Sequence, residues 1–199
     1  MLEPKVSIII PFKELNKHVN KCIEKCLELD YNNYDIILLP DEAINTNSPK
    51  TKVIVTGKVH PSIKRNLAVS KTDSEFIASI DSDAYPDKDW LKNAIPFFKD
   101  QNIGAVGGPN SIPKDASLLE KAAIHIIYSK LGLDSAYRIK KYNNKGYECR
   151  ELASSNLIFR KNVLEKVHGY KHTLPTGEDS MISFDIRKSG KLIINSSDV

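Results

Sequence analysis

Two aspartates separated by one residue follow an apolar run in the stretch FIASIDSDAYPD, residues 76–87. In an extended segment the carboxylates of Asp81 and Asp83 project to one side and Ser82 to the other. Carboxylates on one side repel each other unless a cation or hydrogen-bond donors lie among them. Hard cations such as Mg²⁺ or Mn²⁺ bind carboxylates and keep positions for water and phosphate oxygens. The pair fits a polar surface turn or a metal site, and its place after a buried strand favours the metal.

A second acidic pair lies in PTGEDSMISFDIRKSG, residues 175–190. Thr176 is expected to cap a helix, and Glu178 and Asp179 lie in its first turn, where the helix dipole favours acidic side chains. Capping alone could account for these acids, but two adjacent carboxylates exceed what a cap needs. Because they point about 100° apart on a helix, one could serve the chemistry while the other binds substrate or braces the loop.

The elements that must position these residues follow an α/β pattern. Strands are predicted at 5–10, 34–40, 52–57, 75–80, 103–108, 155–160 and 191–195. Helices are predicted at 18–29, 62–70, 87–99, 118–131 and 178–189, with a short one ending at Gly169 and a polar loop at 134–151. Strands alternating with helices indicate a mostly parallel sheet, and ligands of such sheets bind beyond the carboxyl ends of the strands.

The predicted strand ends carry a mixed set of polar and backbone groups. They include Pro11, Phe12, Asp41, Asp81, Ser82, Asp83, Gly107 and Gly108. Lys64 and Arg65 lie in the helix between the third and fourth strands. Carboxylates here could hold a divalent metal and a sugar hydroxyl, while Lys64 or Arg65 meets a phosphate.

Composition and missing motifs exclude several classes of protein. The 199 residues carry a net charge of +4 with scattered bases, so we expect no nucleic-acid partner. The sequence contains no G-x-x-x-x-G-K-[ST] loop, no G-x-G-x-x-G after the first strand and no G-x-S-x-G turn. Three cysteines do not form a disulfide framework, and Cys22 and Cys26 fall on the apolar face of a helix. We therefore expect them in the core of a cytoplasmic protein.

The predicted helix at 118–131 is strongly apolar but shorter than the ~20 residues needed to span a bilayer. It fits a packed core helix or a helix lying on a membrane face. The second alternative would place the protein at the cytoplasmic face of the membrane.

Six stretches together resemble the family-2 glycosyltransferases. They are VSIIIPFKE, IILLPDE, SIKRNLA, SIDSDAYPDKDWL, SSNLIFRKNVLEKVHGY and TGEDSMISFDIRKSG, in the family's order and spacing over residues 6–199. The resemblance implies the GT-A fold, a Rossmann-like three-layer α/β sandwich with a mostly parallel central sheet. It implies one catalytic domain over 1–199, with a nucleotide-sugar-binding half at 1–110 and an acceptor-binding half at 111–199.

The resemblance also implies an activity. It is an inverting, metal-dependent hexosyltransferase that uses Mn²⁺ or Mg²⁺ and moves a sugar from a UDP- or GDP-sugar donor to a hydroxyl. The acceptor would be a glycan or a lipid-linked molecule, in polysaccharide, glycolipid or glycoprotein glycan synthesis. The family includes membrane-associated members, so a peripheral membrane contact is a further expectation.

Roles for individual residues follow from the same resemblance. Asp179 would be the general base, with Glu178 beside it orienting acceptor or donor, and Asp83 would ligate the metal. Donor-nucleotide contacts would come from Pro11, Phe12, Asp41, Lys64, Arg65, Asp81 and Ser82. The sugar and acceptor region would be lined by Gly107, Gly108, Ser154, Ser155 and Asn156.

Two departures from the family pattern affect these expectations. LLPDE stands where the family more often has two acids followed by Gly-Ser, which leaves the choice of base open. KLIINSSDV ends at Val199, before the position where the family usually supplies a metal-ligating histidine, so we expect a truncated domain with weaker metal binding. One alternative is a sugar-phosphate nucleotidyltransferase. Such enzymes have a Gly-rich loop after the first strand, and PFKELNK has no glycine there. The other alternative is a catalytically impaired nucleotide- or carbohydrate-binding domain.

Overall fold

A computed structural model describes residues 3–110, 117–127, 138–143, 145–171 and 176–199. The strands are β1 Val6–Pro11, β2 Tyr34–Leu39, β3 Thr51–Val53, β4 Phe76–Ser79, β5 Ile103–Gly107, β6 Arg138–Asn143, β7 Gly146–Cys149, β8 Leu157–Arg160 and β9 Leu192–Ser196. The helices are α1 Lys17–Leu27, α2 Pro61–Ser70, α3 Trp90–Ala94, α4 Leu118–Ile127, α5 Lys161–Lys166 and α6 Glu178–Lys188. Short 3₁₀ turns occupy Ile95–Lys99 and Ser154–Asn156.

The described strands form one sheet in the order β3-β2-β1-β4-β8-β5-β9-β7-β6. β1 pairs in parallel with β2 and β4, and β5 pairs in parallel with β9. β8 runs against β4 and β5, and β7 runs against β9 and β6. The other described strands therefore share one direction, and their carboxyl ends meet at one edge of the sheet.

Helices cover both faces of this sheet. Side chains alternate along β1, so Ile8 and Ile10 pack on the face covered by α1 and α3, whereas Ile9 packs on the face covered by α2, α5 and α6. Cys22 and Cys26 are fully buried on α1, as predicted. The expected α/β fold, a three-layer sandwich with a mostly parallel central sheet, is confirmed.

Among the described residues of the second half, a segment predicted as a loop forms strands. The polar loop predicted at 134–151 contains the hairpin β6–β7. β7 is held from its other side by β9, where Tyr147 pairs with Asn195. The polar composition of the segment did not indicate a strand. The pairing of β7 with β9 could not be seen locally, because β9 lies far along the chain.

The apolar helix α4 does not pack into the core through its described side chains. Leu118 is 85%, Leu119 81% and Ile126 69% exposed, so the packed-core alternative is wrong for these three residues. Residues 128–131, which belong to the same predicted helix, lie outside the described residues. Within the described part of the chain, every helix is too short or too polar to cross a membrane.

Candidate active site

A cavity of about 1030 Å³ opens at the carboxyl edge of the sheet, beyond β1 and β2. We call it the large cavity. Pro11 and Phe12 line it from the end of β1, Asp41 lies just beyond β2, and Lys64 reaches it from α2. Its size suits a bound small molecule. Four residues predicted from separate parts of the sequence thus line one space.

Lys64 is buried, and its ammonium group joins the ends of β1 and β2. It donates to the carbonyl oxygens of Phe12 at 2.6 Å and Leu39 at 3.1 Å. Its third hydrogen bond goes to the carboxylate of Asp41. Since an ammonium group has three donors, Lys64 is fully engaged within the protein. It is better suited to holding Asp41 in place than to binding a phosphate directly.

Arg65 is also buried, but its guanidinium points toward the carboxylates. Nη2 donates to Oδ1 of Asp81 at 2.8 Å, and Nη1 lies 3.5 Å from Oε1 of Glu178. Burial by itself lowers the pKa of Arg65, whereas the charges of Tyr170, Asp81, Asp179 and Glu178 raise it, and the net shift is upward. Arg65 therefore remains a cation. It draws together Asp81, which follows β4, and Glu178, which lies 113 residues away along the chain.

The segment after β4 turns sharply instead of continuing as a strand. The N–H of Ala84 donates to the carbonyl of Asp81 at 3.0 Å and closes a turn. The extended conformation assumed for this segment is wrong, and the turn brings Ser82 to the wall of the large cavity. Burial raises the pKa of Asp81; Arg65 opposes this shift, and the charges on Asp179 and Asp83 raise the pKa further. The three aspartates therefore interact electrostatically at this edge.

The acidic pair Glu178–Asp179 begins α6, as predicted, but Thr176 does not cap the helix. The N-cap is Gly177, whose φ of 93° lies in the left-handed region that favours glycine. Glu178 contacts Arg65, whereas Oδ1 of Asp179 is buried without a hydrogen-bond partner among the described residues. A buried carboxylate oxygen without a donor is available to accept a proton.

A smaller cavity of about 480 Å³, the small cavity, is lined in part by residues of the same turn. Asp83, Asn110, Ser155 and Asn156 line it together with Val199. The amide of Asn110 donates to Ser155 Oγ at 2.8 Å, and the amide of Asn156 donates to the carbonyl of Val199 at 3.1 Å. The small cavity thus joins the predicted metal ligand to two of the predicted sugar and acceptor residues.

The remaining predicted residues of this region are packed closely against backbone. A Cβ on Gly107 would lie 2.2 Å from the carbonyl oxygen of Asn156, and a Cβ on Gly108 would lie 1.9 Å from that of Val199. Ser154 is buried, and its hydroxyl lies 2.9 Å from that of Tyr170. A role for Gly107, Gly108 and Ser154 in lining the sugar region stays a prediction.

Two residues of this network were given no individual role from the sequence, although Asn66 stood in the polar cluster with Lys64 and Arg65. Asn66 donates to the carbonyl of Tyr170 and accepts from its N–H, both at 2.8 Å. The Tyr170 ring lies under Arg65, whose guanidinium carbon is 5.3 Å from the ring centroid. The adjacency of Lys64, Arg65 and Asn66 in one short helix was the available signal. Tyr170 gave none, because its partners come from distant segments.

The family resemblance implies a divalent cation at this edge of the sheet. Within the described ranges, no group of three or more His, Cys, Asp or Glu side chains is placed to hold a metal. Asp83 is exposed and lines the small cavity. Its charge raises the pKa of Asp81, because two carboxylates repel each other. Mg²⁺ commonly binds through one or two carboxylates plus substrate phosphates and water. The oxygen donors therefore fit a cation held jointly with a diphosphate.

Two solved structures share the fold of this chain. A mannosyltransferase from Pyrobaculum calidifontis, in complex with GDP-Man and Mn²⁺, matches with a TM-score of 0.72 and 17% identity, covering 100% of this chain and 58% of that one. The Staphylococcus aureus protein TarS (residues 1–349), in complex with UDP-GlcNAc, matches with a TM-score of 0.71 and 18% identity, covering 98% and 56%. These likenesses show the GT-A fold.

Sequence comparison identifies the family. The O-antigen chain rhamnosyltransferase of Salmonella typhimurium is 31% identical over 129 residues, and a pre-mycofactocin glycosyltransferase of Mycobacterium tuberculosis is 24% identical over 135 residues. The alignments cover 63% and 65% of this chain but only 40% and 27% of those proteins. The family described as glycosyl transferase family 2 matches residues 7–168. The chain belongs to glycosyl transferase family 2.

Proposed function

We propose that this chain is a metal-dependent, inverting hexosyltransferase that moves a sugar from a UDP- or GDP-sugar to a hydroxyl of a glycan or lipid-linked acceptor. The observation that carries the proposal is the set of carboxylates around Arg65. Asp81 and Glu178 contact Arg65 directly, and Asp179 adds its charge. Family membership favours this activity over that of a nucleotidyltransferase.

The two cavities suggest where the donor binds. Residues 1–110 contribute all of the described lining of the large cavity, which supports their assignment as the nucleotide-sugar-binding half. Pro11, Phe12 and Ser82 would contact the nucleoside, and Asp41, held by Lys64, would accept a hydrogen bond from its base. Residues 111–199 supply Ser155, Asn156 and α6, and form the acceptor-binding half of the proposed single domain.

The charges of the site are suited to separating a diphosphate from a sugar. Asp81 would bind the ribose, and Asp83 would hold Mn²⁺ or Mg²⁺, which supplies neutralising charge to a leaving diphosphate. Arg65 keeps the acidic groups together. Direct displacement requires no covalent nucleophile. Complexes of two fold relatives with GDP-Man and Mn²⁺, and with UDP-GlcNAc, support this choice of ligands.

Asp179 is the proposed general base. The acceptor oxygen would attack the anomeric carbon while the bond from that carbon to the diphosphate oxygen breaks. The acceptor proton would pass to Oδ1 of Asp179, which has no other partner among the described residues. A single displacement of this kind inverts the anomeric centre. A well-placed general base is worth about 10²–10⁴-fold in rate.

The proposal is tested with a panel of nucleotide sugars, with and without Mn²⁺. Thermal-shift titration identifies the donor, because stabilisation grows with ligand concentration over Kd, and release of the nucleoside diphosphate reports turnover. We expect Asp83→Ala to lose the Mn²⁺-dependent part of donor affinity. Asp179→Asn should keep donor binding and lose about 10²–10⁴-fold in rate.

Three outcomes would contradict the proposal or one of its residue assignments. Intact donor binding without turnover by the wild type would favour an impaired binding domain. Near-normal turnover by Asp179→Asn would remove Asp179 as the base, and unchanged Mn²⁺ dependence in Asp83→Ala would remove the metal assignment. The exposed residue Asp89, which lies outside the lining of both cavities, provides the control variant Asp89→Ala.

A further inference from the structure

A basic groove of about 490 Å³ lies on the hairpin β6–β7, outside both cavities of the proposed active site. β6 is the last strand of the described sheet, at the end opposite to β3. Four basic side chains line the groove: Arg138, Lys140, Lys141 and Lys145. None of them has a role in the proposed transfer reaction. We call this feature the basic groove.

The positive charge of the basic groove is only partly balanced. Glu148 is the one acid in contact within the described residues, with Oε2 3.4 Å from Nζ of Lys140. The guanidinium of Arg138 stacks on the ring of Tyr147 at 4.1 Å from its centroid. Lys141 and Lys145 form no ion pair with any carboxylate in the described part of the chain, and both are exposed. An anion in the groove would therefore meet ammonium groups that are free to turn toward it.

Lysines on an edge strand can also serve to prevent pairing with another chain. That role would account for Lys140 and Lys141, which belong to β6. It does not account for Lys145, which follows β6 and still lines the same groove. It also does not require a guanidinium held over an aromatic ring. The arrangement is better explained by a concave site for a negatively charged ligand.

The basic groove and the small cavity lie at opposite ends of one short segment. Ser197 lines the groove, and Val199 lines the small cavity together with Asp83. Two residues of extended chain span at most about 7 Å. A ligand of ordinary size could therefore reach from the groove to the cavity where an acceptor hydroxyl is expected.

We propose that the basic groove binds phosphate groups of the acceptor, so that the acceptor class is a phosphate-bearing molecule. This inference rests on the proposed glycosyltransferase function, because it places an acceptor in the small cavity. Lys141 and Lys145 make charge-assisted hydrogen bonds to phosphate oxygens, and Arg138 contributes a further cation. Attraction of this kind weakens as salt is added, because mobile ions screen exposed charges.

The binding test uses inorganic polyphosphate of about ten units as the probe, titrated into the wild-type chain at low and at physiological salt. The double variant Lys141→Glu/Lys145→Glu removes the two unpaired ammonium groups. The matched control, Lys52→Glu/Lys71→Glu, makes the same charge change at exposed positions on β3 and just after α2. We expect the groove variant to weaken polyphosphate binding by about tenfold or more and the control by less than about twofold.

A second arm measures binding to vesicles of phosphatidylglycerol and phosphatidylcholine, which separates a dissolved phosphate chain from a lipid surface. Binding to vesicles alone would overturn the proposal in favour of a membrane contact. Equal loss of polyphosphate binding in both double variants would also overturn it, since the attraction would then follow net charge. Lys141→Gln/Lys145→Gln, which only neutralises the two charges, repeats the test if the glutamate variant fails to fold.

Failure of this inference can be distinguished from failure of the proposed function. Release of nucleoside diphosphate from the donor, with water as acceptor, does not involve the basic groove. We expect it to be unchanged in Lys141→Glu/Lys145→Glu. Donor turnover without groove-dependent polyphosphate binding would overturn the inference alone, and polyphosphate binding without donor turnover would overturn the proposed function.

Discussion

At the scale of single residues, the central feature of the site is one buried cation among acids. Arg65 contacts Asp81 and Glu178 and lies over Tyr170. Removing water from a guanidinium is costly, and the neighbouring negative charges offset that cost. Taking away the cation while the acids remain would leave them unbalanced. Arg65 should therefore matter for the folded state as well as for the reaction.

We predict that Arg65→Met lowers the free energy of unfolding by about 3 kcal/mol, at the lower end for a broken buried ion pair. The lower end applies because the side chain of Asp81 is 44% exposed. Arg65→Lys should lose less, since it keeps the charge but not the planar fork that reaches two acids. Urea unfolding measures both, and the exposed Arg187→Met is the control. A wild-type midpoint for Arg65→Met would contradict this account.

At the scale of elements, α2 connects both halves of the chain through three consecutive residues. Lys64 bonds to the ends of β1 and β2, Arg65 reaches α6, and Asn66 holds the backbone of Tyr170. Successive helical residues point about 100° apart, so one turn of helix can contact three separate segments. The position of α6 relative to the large cavity therefore depends on α2.

We predict that Gly169→Ala is more destabilising than other glycine substitutions at positive φ. Its φ is 67°, and an added Cβ would lie 2.4 Å from Oδ1 of Asn66, which accepts the N–H of Tyr170. The left-handed backbone costs about 1–2 kcal/mol for alanine, and loss of the buried hydrogen bonds should bring the total to about 3 kcal/mol. Thermal and urea unfolding measure this loss.

Gly190 provides a matched control for this prediction. Its φ is 85°, and nothing lies within 4 Å of an added Cβ, so Gly190→Ala should show the backbone cost alone, about 1–2 kcal/mol. In an Asn66→Ala background the clash is absent, and Gly169→Ala should cost no more than Gly190→Ala. Equal costs for both glycines in the wild-type background would show that the Asn66 contact is unimportant.

At the scale of the whole molecule, two apolar layers enclose the sheet and leave polar groups at its carboxyl edge. Tyr170 departs from this arrangement, because its polar hydroxyl is buried within one of the apolar layers, where it contacts Ser154. Burial raises the pKa of Tyr170 to about 12; Arg65 and Ser154 oppose the shift, and Asp179 adds to it. The folded protein therefore keeps Tyr170 protonated at a pH where an unfolded chain ionises it.

This raised pKa predicts the alkaline stability of the protein. Unfolded tyrosine ionises near pH 10, so the contribution of Tyr170 is fully present below about pH 10. It is lost as the pH rises toward 12, because the unfolded state then binds fewer protons than the folded state. We expect Tyr170→Phe to flatten this fall in urea unfolding between pH 9 and 12, approximate limits set by the same titration. The exposed Tyr85→Phe controls for loss of a hydroxyl, and an unchanged slope in Tyr170→Phe would contradict the prediction.

Local sequence determined much of this molecule. β-branched runs such as that of β1 specify buried strands, the apolar stripe containing Cys22 and Cys26 specifies α1, and the order of these elements indicates an α/β sheet. The topology of parallel sheets then brings strand ends to one edge. For this reason the amino-acid sequence alone predicts that Pro11, Phe12 and Asp41 lie together.

Tertiary structure alone decided which of those side chains meet. The pairing of Lys64 with Asp41, the reach of Arg65 to Glu178 and the strand β7 all depend on partners distant in sequence. Ser82 lines the large cavity, and a turn replaces the extended segment that its spacing from the aspartates implied. Periodicity reports only a residue's immediate neighbours along the chain, whereas ion pairs, cavities and strand pairing arise when the packed sheet brings remote segments together.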